Sequence, residues 1–233
     1  MKKLLLTFLL TALSVTGFGL KDDRSEVTDR LTDAGKVLDE IMGAPDSGVP
    51  QTVLAKARCV AVLPSMVKGG FVIGGRHGRG VVTCRTPNGW SSPAFISLNG
   101  GSWGAQIGVE KVDLVLLFMN DKGVNSLLKD NFKMGADASV AAGPVGRHAE
   151  AATDAKLNSE ILAYSRAKGL FAGVELNGAA VKPDNDSNVS FYGSNINWKE
   201  TLSGSVKPPA GADPFLDAVR KYFTDARASA KAK

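Results

Sequence analysis

The residue types that bind metals and carry out catalysis are scarce in this sequence. It contains two histidines, His77 and His148, and two cysteines, Cys59 and Cys84, in 233 residues. The histidines lie far apart and neither accompanies a cysteine pair at ligand spacing, so no metal site is predicted. The motifs do not combine a nucleophile, a base and an oxyanion donor. We therefore predict a protein that has no catalytic residues, needs no cofactor and is not an enzyme.

Long apolar runs are also absent, except at the N-terminus. Residues 4–15 are largely apolar, follow Lys2 and Lys3, and are followed by small residues. This order is typical of a secretory signal peptide, and the run is too short to cross a bilayer of about 30 Å. The sequence predicts a signal peptide over residues 1–19 and a periplasmic or secreted mature chain over 20–233. The alternative is an uncleaved membrane anchor.

A large excess of charge of either sign is missing as well. The formal net charge is +5, and removing Lys2 and Lys3 lowers it to +3. This balance does not favour nucleic-acid binding. It is compatible with a weak attraction to anionic surfaces.

The two cysteines remain after export. In an oxidising compartment, an even number of cysteines favours a disulfide between Cys59 and Cys84. In the chain-entropy view, this bond would stabilise the fold by roughly 3 kcal/mol. The alternative is a pair of buried thiols on neighbouring strands.

The hydrophobic pattern predicts one α+β domain. Apolar residues recur at helical spacing over 25–42, and further helices are expected over 50–56, 120–131 and 213–228. Between them, short runs rich in Val, Ile and Phe alternate with turn residues, which indicates antiparallel strands. Many of the 26 glycines lie inside these runs, where they permit bulges, coiling and close backbone approach. We expect a curved, barrel-like antiparallel sheet flanked by N- and C-terminal helices.

Four motifs occur together along the strand region. They are K-G-G-F-x-x-G-G at 68–75, W-S-x-P at 90–93, G-x-Q-x-G at 104–108 and S-R-x-x-G-L-F-A-G at 165–173. In this combination the chain closely resembles the SYLF family of lipid-binding domains over residues 25–205. The resemblance implies binding of phosphoinositides or other anionic phospholipids, and of actin in some eukaryotic members. Export would separate this chain from cytoplasmic phosphoinositides and actin, so the implied partner is an anionic phospholipid membrane, contacted peripherally.

Basic residues cluster in one stretch that contains no acidic residue. Its members are Lys68, Arg76, His77, Arg79 and Arg85. If a tight turn lies at 77–78, these side chains are expected to converge on a phosphate group, with Arg76 and Arg79 contributing most. The alternative is that they are solubilising charges at the rim of a sheet.

Two further features carry alternatives. Residues 183–188, PDNDSN, are expected to form a polar turn, with a weak calcium loop as the alternative. The helix over 25–42 has an acidic polar face, so we expect it to pack on the domain and not on an anionic bilayer. For the protein as a whole, the second hypothesis is an envelope interaction or structural module that binds a protein partner through its glycine-rich sheet.

Overall fold

The computed structural model describes residues 23–43, 48–70, 73–103, 108–145, 158–167, 170–173 and 176–231. The expected signal peptide at 1–19 lies outside the described residues.

The helices begin with α1, which spans Arg24–Met42 and confirms the expected amphipathic helix. Asp23 caps it, because its carboxylate accepts a hydrogen bond from the backbone N–H of Ser25. The others are α2 (Gln51–Lys56), α3 (Asp121–Leu127), α4 (Asn185–Tyr192), α5 (Trp198–Ser203), α6 (Asp213–Val219) and α7 (Asp225–Lys231). A π-helical turn, Arg220–Thr224, joins α6 to α7. The expected C-terminal helix is therefore present, with one wider turn.

The strands are β1 (Cys59–Gly70), β2 (Ile73–Thr86), β3 (Gly89–Trp90), β4 (Ala94–Trp103), β5 (Gly108–Phe118), β6 (Phe132–Lys133), β7 (Val140–Ala142), β8 (Ile161–Ala167), β9 (Leu170–Gly173) and β10 (Ala180–Pro183). They form one ten-stranded sheet, in which eight strands follow the order β6-β10-β4-β2-β1-β5-β8-β7, while β3 pairs with β2 and β9 with β8. All described pairings between strands are antiparallel except β7 with β8. The α+β class with a curved sheet is confirmed, and this parallel pair makes the sheet mixed.

The sheet has two buried faces. On the outer face, helices α1, α2, α4, α6 and α7 pack on strand residues such as Val62, Val81 and Phe95. On the inner face, the neighbouring residues Leu63, Val82 and Ile96 pack against one another and against α3 and α5. Because side chains alternate along a strand, each position belongs to one face only.

An aromatic contact on the inner face shows how far the sheet curls. The rings of Phe118 on β5 and Phe132 on β6 lie 6.2 Å apart. These strands are five positions apart in the sheet order, which would separate them by about 24 Å in a flat sheet. The sheet therefore bends around its inner face and brings its distant strands together.

The curl of the sheet is made possible by an irregular, close contact between the paired strands β1 and β2. The pairing of β1 with both neighbours shifts register between Val62 and Val67, and Ser65 there has a φ of 51°. A Cβ atom at Gly80 would lie 2.3 Å from the carbonyl oxygen of Val62, and one at Gly78 would lie 2.8 Å from Met66 Cγ. The expected role of strand glycines in bulging and close approach is confirmed at these two positions.

The expected disulfide is present. Cys59 and Cys84 lie directly opposite each other on β1 and β2, with Cα atoms 4.0 Å apart, and their sulfur atoms are bonded. Both residues are buried on the inner face. The bond therefore joins the start of β1 to the last residues of β2, at the end of the pair opposite Gly70 and Gly74.

Two expected elements differ from the structure. Residues 183–188 do not form a polar turn, because Asp184 caps α4 by accepting a hydrogen bond from the backbone N–H of Ser187. The helix expected over 120–131 ends at Leu127, since Phe132 and Lys133 are recruited as β6 by pairing with β10. In both cases the local residues are compatible with more than one secondary structure, and tertiary contacts determine which one forms.

The close approach at Gly80 gives a first prediction. Gly80→Ala should lower the free energy of unfolding by about 1–3 kcal/mol or more, because the added methyl group meets backbone atoms of β1. Gly101→Ala is the matched control, since nothing lies within 4 Å of its Cβ position. Urea unfolding of both variants checks this, and equal stability of the two would contradict the close approach.

Candidate functional site

Arg79, one of the two arginines expected to contact phosphate, is held in an ion pair. Its Nε and Nη2 donate to the Asp184 carboxylate at 2.8 and 3.2 Å, and Nη2 also donates to Ser187 Oγ at 3.1 Å. Only 29% of its side chain is exposed. Arg79 therefore links β2 to the start of α4, and the expectation that it is available at a turn is corrected.

Asp184 is the centre of a group of ion-paired and hydrogen-bonded side chains that also includes Arg30, Arg79 and Ser187, here called the Asp184 cluster. Arg30 on α1 donates to Ser187 Oγ at 2.7 Å and lies 3.6 Å from the Asp184 carboxylate. Burial opposes the charge on Asp184, but hydrogen bonds from Arg79 and Ser187 outweigh it and hold the pKa of Asp184 below its ordinary value of 3.8. The cluster joins α1, β2 and α4, so its arrangement supports the fold.

The five basic residues do not converge. Strand β2 runs without interruption through 77–78, and its pairing with β4 keeps one register from Ile73 to Val82. Arg76 therefore lies on the inner face, while Arg79 shares the outer face with Val81. The expected turn at 77–78 is wrong, because Gly78 and Gly80 allow β1 to approach β2 closely and do not reverse the direction of the chain.

Arg85 is used to join elements of the fold. Its guanidinium donates to the carbonyl oxygens of Ala57 at 2.8 Å, Leu54 at 3.3 Å and Phe223 at 2.8 Å. It also lies 4.5 Å from the ring centre of Trp90, a cation–π distance. Burial, together with the charge of Arg227, lowers the pKa of Arg85 to about 10.

The remaining three basic residues lie towards the far end of the β1–β2 pair. Lys68 is directly opposite Arg76 on β2 and Glu110 on β5, so Lys68, Arg76 and Glu110 are on the inner face. Burial lowers the pKa of Arg76. His77 is on the outer face, where its Nδ1 lies 2.6 Å from Asn99 Oδ1.

This far end has a feature that the sequence analysis missed. We call it the Val109 end and define it as residues 66–70, 73–78, 99–103 and 108–111. Among the described residues, the exposed large hydrophobic side chains are Val67 and Val109, which are 39% and 78% exposed. They lie on the outer face of β1 and β5, and Val67 is directly opposite the exposed Lys111. The signal in the sequence that could have revealed this surface is an apolar residue, valine, at strand positions whose side chains are not buried by the alternation of inner and outer faces.

Three other possibilities are limited by the geometry. Within the described ranges, no group of three or more His, Cys, Asp or Glu is arranged to hold a metal ion, and Asp184 and Asp186 lie at the start of a helix. None of the helices described is long and apolar enough to span a bilayer. The G-x-S-x-G pattern at 100–104 is not a nucleophile elbow, because residues 100–103 lie in β4, which is followed by β5 and not by a helix.

Comparison with known proteins agrees with the family resemblance of the motifs. The family model described as Ysc84, Las17-binding protein actin regulator, matches residues 99–222. Protein YSC84 of Saccharomyces cerevisiae is 40% identical over 181 residues. This chain belongs to the Ysc84 family. The resemblance to SYLF domains is thereby confirmed.

The relatives in this family are longer proteins. The alignment with YSC84 covers 76% of this chain and 38% of the yeast protein. LAS seventeen-binding protein 3 of the same species is 38% identical over 181 residues, with 39% of its length covered. SH3 domain-containing YSC84-like protein 1 of Homo sapiens is 33% identical over 205 residues, which are 85% of this chain and 60% of the human protein. The chain thus spans less than two thirds of the relatives that it matches.

The Asp184 cluster gives a second prediction. Asp184→Asn should lower the free energy of unfolding by about 3 kcal/mol at pH 7, because it removes the buried carboxylate that Arg30 and Arg79 share. The more exposed Glu26, at 3.4 Å from Arg30 and 3.8 Å from Arg79, remains as a second carboxylate. The pKa of Asp184 is depressed in the folded chain, so its stabilisation is present above the unfolded-state pKa and is lost as the pH falls through the folded-state pKa. The difference from the unsubstituted chain should therefore shrink below about pH 4.

Urea unfolding at pH 7 and at pH 3 measures both effects. Asp186→Asn is the control, since Asp186 is exposed on the same helix. A cost for Asp184→Asn that matches the control at pH 7, or that does not change with pH, would contradict this role of the cluster.

Proposed function

We propose that this member of the Ysc84 family is a non-catalytic, exported lipid-binding protein that contacts anionic phospholipid at the periplasmic face of an envelope membrane. The contact is made by the Val109 end. The observation that carries this proposal is the exposure of Val67 and Val109 beside a cationic side chain, on a part of the sheet that none of the described helices covers.

The outer face of the Val109 end is suited to meeting a surface. Glycines at 69, 75 and 101 lie side by side on β1, β2 and β4, and Val109 is directly opposite Gly69. A Cβ at Gly101 would meet nothing within 4 Å. This row has no side chains that would hold a surface away from the backbone, and among the described residues Val67 and Val109 are the large apolar side chains exposed beside it.

Charge around the valines has the sign that an anionic membrane requires. Lys111 is exposed beside Val67 on the outer face. Lys68 and Arg76 lie at the same end but on the inner face, opposite the valines, with Glu110 as the neighbouring carboxylate. Each basic residue near an anionic bilayer contributes about 1 kcal/mol, and each valine contributes about 1.5 kcal/mol or more if it is fully buried. The sum corresponds to weak, reversible association. Such binding is peripheral and is reduced by salt.

Two features support export. The N-terminal sequence has the order of a signal peptide. The bonded pair Cys59 and Cys84 is typical of an oxidising compartment. Both features agree with a periplasmic or secreted chain.

Co-sedimentation of residues 20–233 with vesicles tests this function. We expect binding to vesicles that contain phosphatidylglycerol, release by high salt, and little binding to phosphatidylcholine vesicles. Val109→Asp and Lys111→Glu should each weaken the binding about fivefold or more, since each removes an attraction and adds a negative charge next to the bilayer.

Lys207→Glu is the matched control for charge, because Lys207 is exposed and lies outside the Val109 end. It should leave binding within about twofold of the unsubstituted chain. An equal loss in Lys111→Glu and Lys207→Glu would show a diffuse charge effect and contradict the proposed surface. Absence of binding to either kind of vesicle would contradict the function itself.

A protein-binding module of the envelope is the second candidate function. The observation in its favour is that relatives carry the names Las17-binding and SH3 domain-containing, which indicate protein partners for those proteins. The same uncovered glycine row on β1, β2 and β4 would serve as the contact surface. Crosslinking in intact envelopes through position 109, without vesicle binding by the purified chain, would favour this candidate.

A further inference from the structure

A pocket lies at the opposite end of β2 from the Val109 end. It has a volume of about 380 Å³ and is formed between the β2–β3 turn and the C-terminal helix. Its lining includes Arg85, Thr86, Gly89, Trp90, Thr224 and Arg227. The volume is at the small end of the range for ligand sites, which is about 300–1,000 Å³.

The electrostatics of this pocket are one-sided. The lining contains two arginines and no carboxylate. Arg227 is exposed and lines the same pocket as Arg85. Burial, and after it the charge of Arg227, lowers the pKa of Arg85. An anion that contacts both guanidinium groups would offset the repulsion between these like charges by attracting each of them.

Arg85 is also fixed in place before any ligand arrives. Three backbone carbonyl oxygens accept hydrogen bonds from its guanidinium, and the Trp90 ring lies against it. Holding a cation in position in advance lowers the entropic cost of binding. Arg227 lies one turn beyond Phe223, whose carbonyl accepts from Arg85, so it reaches the same space from the helix.

We propose that this pocket is a binding site for a phosphomonoester. A phosphate group carries a charge of about −1.5 to −2 near pH 7, which matches two arginines better than a single carboxylate does. Trp90 provides an apolar wall for a short organic substituent, and Thr224 adds a hydroxyl group to the lining. The site does not depend on the membrane contact at the Val109 end.

Titration of residues 20–233 with glycerol phosphate, followed by calorimetry and by tryptophan fluorescence, tests the site. Glycerol alone is the uncharged reference ligand. Arg227→Gln should weaken phosphate binding about tenfold or more, since it removes a charged hydrogen-bond donor. Arg220→Gln is the matched control, because Arg220 is also exposed on the C-terminal helix but does not line the pocket.

A parallel arm with phosphatidic acid vesicles identifies the source of the phosphate. Saturable binding of glycerol phosphate that is lost in Arg227→Gln supports a soluble ligand. Binding that depends on Arg227 but occurs only with phosphatidic acid vesicles supports a lipid headgroup as the source. If neither ligand binds, or if Arg227→Gln and Arg220→Gln behave alike, the proposal is overturned. Lys111→Glu should not change glycerol phosphate binding, which separates this result from the test of the Val109 end.

Discussion

The close approach of β1 to β2 is the constraint on which the rest of the structure depends. The bulge of β1 after Val62 lies on two positions of β2, Gly78 and Gly80, where a side chain would overlap it. Coiling there lets the sheet bend until Phe118 and Phe132 touch. The bend encloses an inner core, and it leaves an outer face on which the helices pack.

This bend also divides the basic residues among different tasks. Because β2 continues straight through 77–78, Arg76 and Arg79 are directed to opposite faces. Arg79 is then bound to Asp184, and Arg85 to backbone carbonyls at the other end of the strand. Lys68 and Arg76 therefore lie at one end of the β1–β2 pair, the Val109 end, and Arg85 lies at the other end. The Val109 end combines its basic residues with exposed valines, and the other end combines its basic residues with a tryptophan pocket.

The sequence was sufficient for the features that depend on local pattern. Periodicity predicted α1, cysteine count predicted the disulfide, and glycines inside strands predicted the curl. It was insufficient where distant residues decide. The cap of α4 is stabilised by Arg79, which is remote in sequence, so 183–188 reads locally as a turn. The exposure of Val109 depends on where the helices end on the outer face, and the Arg85 pocket on where the C-terminal helix docks. Neither follows from spacing.

The contact of the Val109 end with an anionic bilayer is tested most directly by an environment-sensitive fluorophore placed on it. We would attach NBD to Val109→Cys and, as a reference, to Lys207→Cys in the chain with its native disulfide intact. Phosphatidylglycerol vesicles should shift the emission of the probe at 109 to shorter wavelength and protect it from an aqueous quencher, while the probe at 207 stays unchanged. A probe at 109 that remains fully accessible while the protein is bound to the vesicles would contradict the account.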